Sequence, residues 1–384
     1  MNEATTAEES ATLERVRNII PEIEACGDEI ERERRLPAGL NLKLADAGAY
    51  RMALPRKYGG EDLAPLQSMR VLQELAHADG SVAWTAMVAF GFNVIFGRFS
   101  PAVVDRILAQ GPSLGRGAMA PLGTARPTRG GYIINGRWPL ASGSYEYEWV
   151  GAGCLLMDGD KPRFGSDGRP VYRAALLPKG DVKFLDTWYS VGLRGSASTD
   201  FEIHEKFVPE EFTTDLFSAP SAYDSVLHRL PFFMVTGPTH CAVCIGLVEG
   251  AIDDLTNLAR TKRPAFSPKM LGEDPVFQYR LGELATRLEA ARAYTNTVAN
   301  WTVEKANADT PASPLDIVRM QTMLAYVHHQ CVDIIDEAFT LAGATAVYRG
   351  CILQRRWRDI KCVASHFAAN TSCYQALGAA ISNA

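Results

Sequence analysis

The sequence predicts an α+β chain in which an N-terminal helical domain, a middle antiparallel β domain and a C-terminal four-helix bundle follow one another. Two observations carry this. Apolar residues recur at helical spacing in the first and last thirds, and a glycine- and proline-rich middle replaces that period with short β-branched and aromatic runs. The boundaries fall at residues 1–113, 114–215 and 216–384.

Thr12–Glu33 carries Leu13, Val16, Ile19, Ile20, Ile23 and Ile30 at helical spacing among many charges, the pattern of an amphipathic surface helix. A second helix fits Leu40–Ala49, and Leu54-Pro-Arg-Lys-Tyr-Gly-Gly60 breaks the pattern. Helices resume at Pro65–Ala78 and Ser81–Arg98, with Asp79-Gly80-Ser81 as turn and N-cap, and Pro101–Gln110 is one more short helix. From Leu114 short strands alternate with turns: Gly131–Trp138, Val150–Met157, Val171–Leu177 and Asp200–Val208, ending near Pro209. From about Ser225 the chain is helical again, over Gly237–Leu258, Pro275–Ala306, Pro314–Ala342 and Arg349–Phe367. Long helices joined by short Pro-rich loops predict the bundle.

The 384 residues carry a net charge of −5, 47% apolar and 22% charged residues, which excludes a disordered chain and a basic nucleic-acid-binding surface. The most apolar run, Ser81–Gly97, is shorter than the roughly 20 residues that span a bilayer and reads as a buried helix, so no membrane partner is expected. The acidic N-terminus has no signal-peptide pattern, and the eight scattered cysteines read as free thiols of a cytoplasmic protein.

Local motifs are sparse. GxGxxG, Walker A, HExxH and paired CxxC strings are absent, which argues against nicotinamide and P-loop chemistry. Ser142-Gly143-Ser144 sits between apparent strands and not on a strand-to-helix elbow, so acyl-serine hydrolysis has no local support. Cys241-Ala-Val-Cys244, with His240 beside it, lies in an apolar helical run and reads as buried thiols packing a helix. His328 and His329 are sequence neighbours and point to different helix faces, so no metal site is expected.

Four strings in order resemble the acyl-CoA dehydrogenase superfamily: Leu54-Pro-Arg-Lys-Tyr-Gly-Gly60, Gly131-Tyr-x-x-Asn-Gly-x-Trp138, Trp188-Tyr-Ser-Val-Gly-Leu-Arg-Gly-Ser196 and Pro275-Val-Phe-Gln278. A dehydrogenase of this family abstracts a proton with a glutamate. Here the late loop, Ser365-His-Phe-Ala-Ala-Asn-Thr371, and the early bundle stretch, Val235–Gly246, hold no carboxylate. Gln354-Arg-Arg-Trp-Arg-Asp359 followed by His366, Trp138-Pro-Leu-Ala-Ser142-Gly-Ser144, and Asp186-Thr-Trp188 resemble instead the two-component flavin-dependent monooxygenases of the superfamily. That resemblance implies FMNH2 from a separate NAD(P)H flavin reductase, with FAD possible. It implies O2 as co-substrate, a C4a-hydroperoxide, a hydrophobic and aromatic substrate, and a homotetramer. The alternatives are an FAD-dependent acyl-CoA dehydrogenase with a displaced base and a non-catalytic ligand-binding homologue.

The same resemblance implies roles for residues. His366 lies near the flavin C4a edge, where an imidazole accepts a phenolic proton or donates a hydrogen bond, with Asn370 as a residue that orients it. Ser144, with Ser142 and Gly143, supplies a hydroxyl and close backbone approach near N5. Trp138 belongs to the flavin loop, Trp188 packs on the ring, and Arg194 and Ser196 shape its loop. Arg263 and Phe266 resemble the element that reaches a flavin phosphate across a subunit interface, and Gly343 and Thr345 a turn at the phosphate end. Met119–Leu122 is expected beside the ring. Phe92, Asn93, Phe96, Phe233 and Met234 are the expected substrate contacts.

Overall fold

The computed structural model describes residues 9–109, 111, 113–225, 227–308 and 311–383. Gln110 and the N-terminal residues 1–8 lie outside them. Seven helices come first: α1 Ala11–Arg17, α2 Ile20–Ala25, α3 Gly27–Glu33, α4 Ala38–Asp46, α5 Pro65–Ala78, α6 Gly80–Phe96 and α7 Pro101–Ile107. The strands are β1 Gly115–Thr128, β2 Gly131–Ala141, β3 Trp149–Asp158, β4 Lys161–Pro162, β5 Tyr172–Pro178, β6 Lys183–Phe184, β7 Thr199–Pro209 and β8 Thr213–Thr214. Helices α8 Phe232–Thr261, α9 Pro275–Asn307, α10 Pro314–Ala342, α11 Ile352–Ala364 and α12 Cys373–Ser382 complete the chain.

The helix expected over Thr12–Glu33 is three short helices. Pro21 has no N–H to continue α1 and instead opens α2, and Cys26 both ends α2 and starts α3. The apolar stripe survives the breaks: Leu13, Val16, Ile23 and Ile30 are buried, while Ile19 and Ile20 are half-buried. Asp79 caps α6 as expected, accepting from the backbone N–H of Ser81 (2.8 Å) and Val82 (3.1 Å).

The middle sheet is mixed, not antiparallel throughout. Its order is β6-β7-β2-β1-β3-β5-β8, with β4 beside β3, and β1 pairs with β3 in parallel. After β2 the chain crosses over through residues 142–148 and returns on the other side of β1, running in the same direction. This crossing carries Ser142, Gly143 and Ser144. The β1–β3 register shifts between Ala118 and Gly123, so Met119–Leu122 bulges out of the ladder, which accommodates Pro121.

Two cores fill the molecule. One joins the N-terminal helices to the C-terminal bundle; the other lies between the sheet and the end of α6. Helix α8 has the length and apolarity of a membrane span, but 78% of that window is buried, against α5, α6, α9, α10 and α11. All eight cysteines are free, and Cys241 and Cys244 are buried in α8. Trp138 lies inside the sheet core. Its ring stacks on Phe201 (5.0 Å, 8°) and its N–H donates to the Gly153 carbonyl (2.7 Å). It is a core residue and not a flavin contact. Trp138→Phe is expected to cost about 1–3 kcal/mol in denaturant unfolding while leaving flavin titrations unchanged.

Candidate active site

Helix α6, the crossing loop and the segment before β7 meet in a wall of hydroxyl groups. The Trp84 N–H donates to Ser142 Oγ (3.1 Å), Ser142 Oγ contacts Ser198 Oγ (2.5 Å), and Ser198 Oγ contacts Ser196 Oγ (2.7 Å). Backbone bonds close the same seam: Gly143 N–H to Ser196 O (3.2 Å) and Gly195 N–H to Ser81 Oγ (3.1 Å). Gly143 sits at φ +139°, where a Cβ would meet that of Arg116 at 2.8 Å, and a Cβ on Gly195 would meet Ile30 Cγ2 at 2.2 Å. Both positions need glycine. Beneath them, buried Arg116 donates to the carbonyls of Ala141 (2.7 Å) and Ala197 (2.5 Å), tying loop to strand. Ser144 Oγ donates to Asn41 Oδ1 (3.3 Å), which also receives the Tyr50 hydroxyl (2.7 Å).

A second wall is built from imidazoles. His366 follows α11, and its Nδ1 accepts the backbone N–H of Ala368 (3.3 Å). A backbone N–H can only donate, so the neutral ring carries its hydrogen on Nε2 and presents a donor. The ring stacks on His240 of α8 (4.8 Å, 28°) and meets Trp84 edge-on (5.5 Å, 76°). Phe367 lies against it (4.3 Å) and in turn meets Phe233 edge-on (5.5 Å, 71°). Burial, with a smaller contribution from His328, pushes His366 down to about 4. At neutral pH it is an uncharged Nε2–H donor.

The segment 186–198 is held under strain. Leu193 (φ +48°) and Ala197 (φ +51°) are left-handed without being glycine. Leu193 N–H donates to Asp359 Oδ1 (2.6 Å), Trp188 N–H donates to Leu193 O (3.1 Å) and Arg194 O (3.0 Å), and Arg358 donates to Val191 O (2.5 Å). Arg34 on the other side donates to Trp188 O (3.1 Å). The Gln354–Asp359 string of α11 is thus a clamp on this loop. Burial, and then Asp79, raise Asp359 to about 8. An acid raised in the folded state loses stability as pH climbs from its unfolded value near 4 toward 8. Asp359→Asn keeps the acceptor without the charge. It is expected to unfold about 1–3 kcal/mol later at pH 7, the gain vanishing near pH 4 in paired denaturant titrations.

The other sequence-predicted residues divide. Ser142, Gly143 and Ser196 share one seam and Ser142 reaches His366 through Trp84, while Ser144 turns to Asn41. Trp188, half-buried, and Arg194, whose Nε is buried without a partner, flank Leu193 in the adjoining loop. Phe233 joins the site through Phe367. Phe92, Phe96 and Met234 are packed inside the cores, and buried Asn93 donates to Tyr50 O (3.4 Å), so these four are interior residues. Asn370 is exposed and its Oδ1 accepts from Ser372 N–H (2.9 Å); it caps a turn and makes no hydrogen bond to His366. Arg263 and Phe266 are exposed on the loop after α8, Phe266 at φ +63°. Lys262 donates to Ala342 O, linking this loop to the turn holding Gly343 (φ +58°) and Thr345. This cluster makes none of the site's contacts. Sequence reasoning missed Trp84, Ser198, Asn41, Tyr50 and Arg116, and set aside a metal role for His240 and His328 without giving them another. Spacing carries no signal for contacts that only the tertiary fold creates.

Two family models match the chain, acyl-CoA dehydrogenase N-terminal domain over residues 6–108 and acyl-CoA dehydrogenase C-terminal domain over residues 238–371. The chain belongs to the acyl-CoA dehydrogenase superfamily. Within it the chain is 26% identical to an indole-3-acetate monooxygenase of Pseudomonas putida over 355 residues, 91% of this chain and 88% of that protein. It is also 26% identical to a flavin-dependent monooxygenase, oxygenase subunit HsaA, of Rhodococcus jostii over 361 residues, 90% of this chain and 91% of that protein. The fold matches the crystal structure of 3-HSA hydroxylase from Rhodococcus sp. RHA1 with a TM-score of 0.89 at 24% identity, covering 97% of both chains.

Proposed function

We propose that this chain is the oxygenase component of a two-component flavin-dependent monooxygenase, acting on a hydrophobic aromatic small molecule with O2 and reduced FMN delivered by a separate reductase. The observation that carries it is the neutral His366 Nε2–H donor, joined through Trp84 to the serine hydroxyls and set among aromatic rings, with no carboxylate bonded to it among the described residues. A proton-abstracting dehydrogenase needs such a carboxylate. The first acid of α8, Glu249, is paired with Arg292 (3.1 Å) and lines a polar cleft of about 580 Å³ that none of the site residues shares.

The residues fit a flavin. Its ring needs a close backbone approach, which Gly143 provides, and a donor along its polar edge, which the Ser142–Ser198–Ser196 hydroxyl chain offers at its end. The orphaned Arg194 Nε is a cationic donor in the adjoining loop, and half-buried Trp188 offers a flat face. When bound, reduced flavin supplies the electrons that activate O2; the chain supplies the rest. Trp84 fixes Ser142, His366 carries a donor on Nε2 for the reacting edge, and the edge-to-face Phe233–Phe367 pair offers apolar surface on which an arene packs. Exposed Arg263 and Phe266, with Gly343 and Thr345, are assigned to the flavin phosphate shared with a second copy in a homotetramer. Eight free thiols suit a reducing cytoplasm.

The test is to supply chemically reduced FMN or FAD, in air, with phenols and indoles. Hydroxylated product with FMN, sustained by any NAD(P)H flavin reductase added in trans, is expected. Tight yellow FAD that bleaches on adding acyl-CoA would instead establish the dehydrogenase.

A further inference from the structure

His240 makes no hydrogen bond among the described residues, although it stacks on His366 and meets Trp84 edge-on (5.8 Å, 82°). Its Nδ1 is buried without a partner. Behind it, at 6.4 Å between ring centroids, lies His328 of α10, and His328 keeps its own buried nitrogen, Nε2, unpartnered. The other nitrogen of His328, Nδ1, sits 2.6 Å from the Leu324 carbonyl. A carbonyl can only accept, so the His328 hydrogen is on Nδ1 and its Nε2 is a lone-pair acceptor. A lone-pair nitrogen and an orphaned nitrogen on adjacent rings are complementary. The centroid separation is about one ångström more than a direct N–H···N bond allows, within reach of a small ring displacement.

We propose that His240 is a second active-site histidine, oriented from behind by His328, that binds the acidic O–H or N–H of an aromatic substrate. His328 holds the His240 hydrogen on Nδ1, which leaves His240 Nε2 as an acceptor. His366 carries its hydrogen on Nε2. The stacked pair therefore offers one donor and one acceptor from neutral rings, a complement to a phenol or an indole and not to a plain hydrocarbon. Burial keeps His240 well below its ordinary range and His328 at about 4, so neither ring is charged at neutral pH. The local helix supports the placement: Pro238 inside α8 lacks the N–H of a normal turn, and Thr236 and Thr239 bond back to the carbonyls of Phe232 (3.0 Å) and Thr236 (2.6 Å) just before His240.

This inference deepens the oxygenase reading and rests on it for the substrate, yet its test needs no flavin. In cofactor-free protein labelled with nitrogen-15 histidine, His240 is expected as the Nδ1–H tautomer, and His328→Leu is expected to shift it toward Nε2–H. Finding His240 as Nε2–H in the unaltered protein overturns the proposal. The probes for binding are para-nitrophenol and nitrobenzene, followed by calorimetry. The phenol is expected to bind about tenfold more tightly, as one added hydrogen bond gives. His240→Phe, which keeps a stacked ring, should abolish that preference, and His240→Gln should restore part of it. A full preference in His240→Phe, or none in the unaltered protein, overturns the proposal. Oxygenation of arenes with the wrong tautomer sinks the inference alone; the expected tautomer and preference without oxygenation sink the oxygenase reading alone.

Discussion

His366→Ala is expected to lower oxygenation turnover by about a hundred- to a thousandfold, the usual cost of removing one donor aimed at developing negative charge. The loss follows from geometry. Ala368 N–H fixes the tautomer, while His240 and Trp84 fix the ring plane, so alanine removes a donor that is already oriented. Flavin binding, which rests on other residues, should change little. Because burial holds His366 at about 4, its neutral form persists across the physiological range. The rate should therefore show no acid limb near pH 6.5, and one near pH 4 instead. His366→Asn, which retains a donor amide, should recover part of the rate. Steady-state turnover against pH for the three proteins checks all of this.

Acid should destabilise the protein through its buried histidines. His228, His328 and His366 are each held at about 4 by burial, against 6.5 in an unfolded chain. A base depressed in the folded state contributes stability that is whole above pH 6.5 and is lost as pH falls toward 4, because the unfolded chain binds the proton first. Moving from pH 7 to pH 5 should cost about 2 kcal/mol per histidine. Asp359, raised to about 8, works the other way and recovers part of that loss. These three histidines alone contribute about 6 kcal/mol to that fall. His240, which burial also holds low, adds to it and buried Asp79, held high, opposes it. The fall should be larger in the Asp359→Asn background than in the unaltered protein. His328→Gln should flatten the slope by one proton. Denaturant titrations at several pH values read these slopes directly, and equal stability at pH 5 and 7 in Asp359→Asn would contradict the account.

The fold was legible where period and punctuation agree. Long periodic runs predicted α8 through α11, and Asp79 announced the start of α6. Pro21 was the cue that the first helix is broken, and the weight of the apolar stripe concealed it. The parallel pairing of β1 with β3 left no local trace, because the crossing after β2 is set by how the sheet closes and not by any residue in it. The site was legible as strings. Their meaning was less so: Asp359 and its arginines clamp the loop at Leu193, Trp138 serves the core, and Asn370 caps a turn. His240 and His328 drew no role because a helix wheel shows a face and not which imidazole from another helix lies across it.

The central claim, that this chain inserts an oxygen atom from O2 into an arene, has one direct measurement. Protein, chemically reduced FMN and a phenol or indole are mixed under isotopically heavy dioxygen, and the product is weighed by mass spectrometry. The account predicts one heavy oxygen per product molecule, with the signal strongly reduced in His366→Ala. Product that carries its oxygen from water, or flavin that is consumed in the presence of bound arene with no oxygenated product, would contradict it.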